Sequence, residues 1–520
     1  MVTQDQSEAI AFLSGLSDEV ERYDTHISII ILSGNRAYKL KRAVRFPYLN
    51  FSTAEQRLSA CRKEFQLNRR TAPSLYIVVR RITREAGGRL TFDGSGEMVD
   101  AVVEMVRFDQ HCLFSEIAKR HELTPALLSE TALVIAEFHR DAPPDHRRSG
   151  TAIMADILTM NCQSMTAAGL VEAERVRALE LKFNSALIRV GPLLDKREHA
   201  GKTRHCHGDL HLRNICLLNG HPTLFDCLEF DDALATTDIL YDLAFLLMDL
   251  WHLGFRAEAN WLFNRYFDVM DEDDGVPLLP FFMAVRASIR AHVSAVQATG
   301  TYSKLFEEAN AYFELASDLL NSRPPQLVAI GGLSGSGKSS MAAAAADQLG
   351  PPPGARVLSS DRIRKLLWGV AAETRLPDEA YQSCMSERVY AEQARAAAIF
   401  LKNGHAVIAD AVFDRPEDRR RIEAAASGAV PFYGFWLEAP IELLIDRVKG
   451  RVGDPSDATP TIIRQQANRV TPVEWQSLSS CGSVTDTVMT LLRCVGALDE
   501  LTKKNPAPYS SPDELGYRDS

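Results

Sequence analysis

Gly332-Leu333-Ser334-Gly335-Ser336-Gly337-Lys338-Ser339 satisfies the pattern G-x-x-x-x-G-K-S in full. An apolar run at 327–330 leads into it, and a helix-forming run of alanines follows at 342–346. A strand that enters a glycine turn and leaves as a helix predicts a parallel α/β sheet. Each part has a physical job. The glycines let backbone N–H groups wrap a phosphate, and the helix N-terminus adds a favourable dipole. Lys338 neutralises the terminal phosphates and the Ser339 hydroxyl suits Mg²⁺. Residues 332–340, Ser340 included, are the expected ATP-binding set.

The pattern of the next 170 residues, about a domain's length, agrees with such a sheet. Apolar strands are predicted at 327–330, 356–358, 406–409 and 432–437, alternating with helices. In an open sheet of this kind ligands bind beyond the C-terminal strand ends. Ser359-Ser360-Asp361-Arg362-Ile363-Arg364 follows the second strand. There Asp361 is placed to accept a hydroxyl proton, and Arg364, nearly one turn on, to hold substrate or phosphate. Val407-Ile408-Ala409-Asp410 reads as a strand ending in a carboxylate that organises Mg²⁺. Arg415, Arg419 and Arg420, then Arg447 and Arg451, are candidates for a lid over phosphates. Solvated helix faces are the plainer reading of those arginines.

Over about 326–492 this arrangement resembles the P-loop kinase family of zeta toxins, chloramphenicol phosphotransferase and the kinase domain of polynucleotide kinase. The resemblance rests on the P-loop, the Ser-Asp-x-x-Arg stretch and the strand ending at Asp410. It implies phosphorylation of a hydroxyl by ATP, with Asp361 as base, and leaves the substrate open.

A second constellation lies upstream. His207-Gly208-Asp209-Leu210-His211-Leu212-Arg213-Asn214 fits H-x-D-x-x-x-x-N. Two short apolar runs flank Asn219-Gly220, a strong hairpin signal, and the fold-back brings Asn214 near Phe225 and Asp226. Two oxygen ligands for Mg²⁺ beside a carboxylate able to take a proton are what kinase-type phosphoryl transfer needs. The segment resembles the aminoglycoside phosphotransferase and choline kinase family. The resemblance implies a bilobal, protein-kinase-like fold over about 20–320, with Asp209 as catalytic base and Asn214 and Asp226 as metal ligands. Ala37-Tyr38-Lys39 matches that family's strand lysine, with Glu64 on the following helix as its partner; Lys41 on the same strand face is the alternative. Val103-Glu104-Met105 would lie near the adenine-contacting hinge. Two departures stand out. No glycine-rich loop precedes Lys39, only Ser33-Gly34-Asn35, and Cys227-Leu228 replaces Phe-Gly after Asp226. Asp238 and Asp242 read as braces of the catalytic loop, and His139 and His205 as structural. Glu229, Asp231 and Asp232 read either as a solvated acidic loop or as an attractor of a cationic substrate.

These readings divide the chain into a kinase-like α+β domain at 1–320, a linker at 321–326 around Pro324-Pro325, a P-loop domain at 327–500 and a loose polar tail at 501–520. A net charge of −10 argues against a nucleic-acid or anionic-membrane surface, so the expected partners are ATP and small hydroxylated molecules. The first 25 residues lack a basic start and apolar core, no apolar stretch reaches ~18 residues, and nine cysteines are scattered without a CxxC pair. A cytoplasmic protein with reduced thiols is expected. Oligomeric state is not set by these features. Two rivals stay open: a degenerate, regulatory N-terminal module, and a P-loop that serves as an ATPase switch.

Overall fold

A computed structural model describes residues 4–25, 27–46, 49–298, 303–450 and 456–497. The expected tail and Arg451 lie outside them. The described residues form two compact units: 4–160 with 191–249, and 161–190 with 250–497. This division does not follow the expected boundary at 321–326, because the helices Arg256–Val269, Leu279–Gln297 and Lys304–Leu319 group with the downstream sheet.

In the upstream unit six strands form an antiparallel sheet, in spatial order Val20–Asp24, Ser28–Ser33, Arg36–Lys41, Glu97–Val106, Tyr76–Arg84 and Leu90–Phe92. One face buries Ile29, Ile31, Leu40 and Val102 against Ala9 and Leu13 of the short helix Ser7–Ser14. The other places Ala37, Ala101 and Val103 around Cys61 of the helix Ala54–Asn68. Ser52 and Glu55 have capping-box spacing, yet the helix starts one residue later. Thr53 Oγ1 accepts the Gln56 N–H at 3.3 Å, and Gln56 Oε1 accepts the Thr53 N–H at 3.2 Å. With that start, Arg57, Cys61, Glu64 and Asn68 share the buried face.

Asp24 pairs with Ile29 and Ser28 with Lys41, so the connection between those first two strands lies at the Lys41 end. The Ser33-Gly34-Asn35 turn is at the opposite end, where the Asn35 carbonyl accepts the Arg107 N–H at 3.1 Å. It therefore does not stand in for a phosphate-covering loop.

The catalytic-type loop leads into a short helical turn, Leu212–Asn214, and then the hairpin Ile215–Leu218 with His221–Leu224. Asn219 and Gly220 hold φ of 53° and 85°, the left-handed pair that a two-residue hairpin turn demands. The Phe225 N–H donates to the Asn214 carbonyl at 3.0 Å.

Downstream, five parallel strands lie in the order Arg356–Ser359, Val407–Asp410, Leu327–Gly332, Phe432–Glu438 and Gln476–Ser479. Val328, Ile330, Ile408 and Leu437 pack beneath the helices Lys338–Ala346 and Val484–Cys494. The fifth strand is not apparent in the sequence, since Leu478 is its one buried residue. The P-loop thus leaves the central strand at its C-terminal end, between neighbours on both sides, where this architecture puts its ligands.

Candidate active sites

In the upstream unit, Lys39 Nζ lies 2.9 Å from Glu64 Oε1 and also contacts Asp226 Oδ1. Lys41 Nζ lies 2.5 Å from Glu64 Oε2 and contacts Glu229 Oε1. Lys39, Lys41, Glu64 and Glu229 are all buried. The result is a chain of alternating charge, Asp226–Lys39–Glu64–Lys41–Glu229, whose two ends sit on one loop. Burial works against the Lys39 charge, but Asp226 and Glu64 outweigh it and hold the ammonium well above the ordinary lysine range. Burial also opposes ionisation of Glu64, yet its two lysines bring that carboxyl down. Glu229 has one lysine, and burial pushes its carboxyl up. Glu229 is neither a solvated acid nor an attractor of cations; it pins the loop after Asp226 to the sheet. Its sequence context, among Asp231 and Asp232, carries no signal of that.

Asp209, Asn214 and Asp226 come together around the same opening. Asn214 Nδ2 donates to Asp209 Oδ2 and to the Asp209 carbonyl, both at 2.9 Å, which leaves the amide oxygen for an outside partner. Asp226 adopts a left-handed φ of 62°, its N–H donating to the Tyr76 hydroxyl at 3.2 Å. His207 is buried and its imidazole is held below its ordinary pKa by that burial. Nε2 lies 2.9 Å from the Phe225 carbonyl and Nδ1 accepts the Asp209 N–H at 3.4 Å, which fits a neutral ring protonated at Nε2. Asp242 receives the His207 and Gly208 N–H groups at 3.1 and 2.8 Å, with His139 Nε2 at 3.1 Å. Asp242 therefore braces the loop. Asp238 does not; it takes both Nε and Nη2 of buried Arg197, at 2.7 and 2.9 Å. Glu104 turns to Arg80 and Arg36, at 2.9 and 3.2 Å, and the chain leaves the sheet after Val106. A cleft of about 550 Å³ opens there, lined by Leu32, Asn35, Arg107 and Phe108 among others.

In the downstream unit, Gly332, Gly335 and Gly337 hold φ of 146°, 87° and 88°. A Cβ on Gly332 would meet the Leu437 carbonyl at 2.8 Å, and one on Gly335 the Leu444 carbonyl at 2.7 Å. Glycine is required at both. Ser334 donates its N–H to Gln466 Oε1 at 3.0 Å, and Ser336 is buried. Leu333 offers its carbonyl to Lys338 Nζ at 3.1 Å. Lys338, Ser339 and Ser340 form the first turn of the helix Lys338–Ala346. Ser339 Oγ donates to Asp410 Oδ2 at 2.7 Å, joining residues 71 apart. Asp361 occupies the first turn of the helix Ser360–Leu367. Arg364, on the same helix, is buried; its Nη1 donates to the Ala380 carbonyl at 2.7 Å and its guanidinium stacks 4.8 Å from the Tyr381 ring. Arg447 Nη2 donates to the Ser480 carbonyl at 2.7 Å, with Nη1 3.5 Å from the Gly335 carbonyl. Arg419 is buried on the carbonyls of Phe413 and Pro472, so it is a brace and not a lid residue.

Two curated relatives, uncharacterized proteins of Mycobacterium tuberculosis and Mycobacterium bovis, are each 30% identical over 459 residues, covering 86% of this chain and 89% of their own length. The chain belongs to their family. Within it, residues 73–274 match the model described as the phosphotransferase enzyme family, and residues 327–473 match an AAA domain. The chain therefore joins a phosphotransferase domain to a P-loop kinase domain, and it is an ATP-dependent phosphotransferase with these domains in tandem. Asp209, Asn214 and Asp226 fall inside the first match, while Lys39 and Glu64 precede it. Solved structures similar to the chain include a gluconokinase from Sinorhizobium meliloti 1021, 18% identical over 36% of this chain and 100% of that one, TM-score 0.24. Another is a choline/ethanolamine kinase family protein from Mesorhizobium loti, 15% identical over 61% and 95%, TM-score 0.39. No helix among the described residues is long and apolar enough to cross a membrane.

Proposed function

We propose that both centres are competent, each transferring the γ-phosphoryl group of Mg-ATP to a hydroxyl of a small molecule. The observation that carries this reading is the buried charge chain from Asp226 through Lys39, Glu64 and Lys41 to Glu229. In that chain one ammonium, Lys39, touches both the helix carboxylate Glu64 and the loop carboxylate Asp226, the arrangement that a phosphate-binding cation beside a metal ligand needs.

Upstream, the adenine ring faces the cleft beside Leu32, Asn35 and Phe108, and the phosphates reach Lys39, which Glu64 orients. Lys39 rather than Lys41 takes this role, because Lys39 alone of the two contacts Asp226. The Asn214 oxygen and the Asp226 carboxylate are hard donors of the kind Mg²⁺ prefers. Asp209, 41% exposed at its side chain and steadied by Asn214, accepts the proton of the acceptor hydroxyl. Downstream, residues 332–340 wrap the phosphates, Lys338 neutralises them, and Ser339 with Asp410 forms the second oxygen pair suited to Mg²⁺. At each centre, bound Mg²⁺ would offset the negative charge of the phosphate oxygens. Asp361 accepts the hydroxyl proton. Arg364 holds the acceptor side of the site through Tyr381 and Ala380, and Arg447 braces the P-loop through the Gly335 carbonyl.

We assign the domains as 1–320 and 327–500, joined by 321–326, with the helices between 256 and 319 packed as part of the downstream compact unit. Nine free thiols suit a reducing cytoplasm, and the net charge of −10 suits small substrates and not nucleic acid or a membrane surface. The test is ATP consumption by the whole chain over a panel of hydroxylated metabolites. Asp209→Asn and Asp361→Asn should each remove a different subset of acceptors. Wild-type consumption in both variants would refute the proposed bases.

A further inference from the structure

The strand Arg356–Ser359 lies at the edge of the downstream sheet. Its Arg356 N–H faces inward to the Ala406 carbonyl at 2.9 Å, so the Val357 N–H and the Ala355 carbonyl point outward. Such groups need partners once covered. The helix Arg256–Val269 supplies them from side chains one turn apart. Asn260 Nδ2 donates to the Pro353 and Ala355 carbonyls, each at 3.0 Å. Asn264 Oδ1 accepts the Val357 N–H at 2.8 Å, and its Nδ2 donates to the Ala355 carbonyl at 3.2 Å. One more turn brings Asp268 to Arg356 at 2.8 Å and to Arg362 at 3.5 Å. A carboxamide offers a donor and an acceptor side by side, as a neighbouring strand does. The helix therefore takes the place of a sixth strand, and it seals this edge with polar groups that are themselves buried at Asn260, Asn264 and Arg356.

This helix falls within residues 73–274, the stretch matched to the phosphotransferase family, yet its polar face is built for the P-loop sheet. The sealed strand runs directly into the helix Ser360–Leu367, whose first turn carries Asp361 next to Arg362. We infer that Asn264 and Asp268 are positioning residues of the downstream centre: they fix the edge strand and, through Arg362, the turn that presents Asp361. The inference rests on the reading of Asp361 as the proton acceptor. Asn264 sets the strand's height relative to the sheet, because one amide bonds on either side of Arg356. Asp268 sets the turn, since it reaches past the strand to Arg362.

The experiment uses the full chain, with Lys39→Ala present throughout to silence the upstream centre. Hydrogen exchange is followed over 355–364, and Mg-ATP affinity and basal ATP hydrolysis are measured alongside. Asn264→Ala should speed exchange at the Val357 amide by about tenfold, the effect of losing roughly one net hydrogen bond, while 327–337 exchanges as before. Asp268→Asn should lower turnover at unchanged Mg-ATP affinity, and Asp268→Glu should restore it. A purely structural role would not split turnover from affinity in this way. Should the alanine variant fail to fold, exchange over 360–364 in Asp268→Asn carries the same test. Unchanged exchange in these variants overturns the inference, as does wild-type turnover in Asp268→Asn when Asp361→Asn is inactive. Wild-type turnover in Asp361→Asn counts instead against the base, and exchange alone then decides whether the helix sets the strand.

Discussion

Lys39 Nζ lies 2.9 Å from Glu64 Oε1, and the same ammonium also contacts Asp226, so one cation spans the sheet, the helix and the loop of the upstream centre. Lys41, two residues on, is turned wholly inward to Glu64 and Glu229. The two lysines should therefore fail differently. Lys39→Met should abolish measurable Mg-ATP binding upstream. Lys41→Met should chiefly destabilise the unit, by about 3–5 kcal/mol, because it leaves Glu229 buried without its countercharge. Calorimetry and urea unfolding distinguish them; equal stability with equal loss of binding would contradict the assignment.

The two proposed bases are expected to act on turnover and not on nucleotide affinity. Asp209→Asn and Asp361→Asn should each lower transfer to their own acceptors by at least about 10²-fold with Mg-ATP affinity nearly intact. Asp226→Ala should weaken Mg-dependent binding itself, since it removes a proposed cation ligand. A variant of either base that loses binding together with turnover would be a ligand or folding residue.

Much of both centres is legible in the sequence where contiguous residues dictate geometry. The P-loop reads directly because strand, glycine turn and helix are adjacent in the chain, and the strand ending at Asp410 falls beside it by sheet order. The hairpin at Asn219-Gly220 brings Asn214 to Phe225 for the same local reason. What does not read is burial decided from afar. Glu229 looks solvated until Lys41, 188 residues away, covers it. Asn264 looks like a surface amide on a helix, though it bonds a strand 93 residues further on. Ser52 with Glu55 and Thr53 with Gln56 both have capping-box spacing, so spacing alone does not pick Thr53, where the helix is capped.

The edge seal has a consequence for where the chain tolerates a cut. The Pro324-Pro325 stretch suggests a clean break, but a fragment beginning at Gln326 lacks Asn260 and Asn264 and leaves the outer groups of the Arg356–Ser359 strand unpaired. It should melt well below a fragment beginning at Leu250, with each lost net hydrogen bond costing about 1 kcal/mol. Equal melting temperatures for the two fragments would show that the helix is dispensable.

Asp418 provides a test by pH. Burial pushes its carboxyl up to about 6, against an ordinary 3.8. Folding therefore takes up a proton between those values. The stability contributed by the protonated group is fully present below pH 3.8 and is lost as pH rises through 6. Asp418→Asn, which keeps a neutral group at all pH values, should raise the melting temperature at pH 8 and match the wild type at pH 4. A gain of the same size at both pH values would mean that the carboxyl is not held up by burial.

The central claim is that one chain carries two working nucleotide sites, and titration calorimetry of the full protein with Mg-ATP addresses it most directly. The wild type should bind one nucleotide at each centre. Lys39→Ala should remove only the upstream site, Lys338→Ala only the downstream one, and the double variant should bind none. A wild-type chain that binds a single nucleotide, lost entirely in Lys338→Ala and untouched in Lys39→Ala, would contradict the account and leave the upstream unit without a phosphotransfer role.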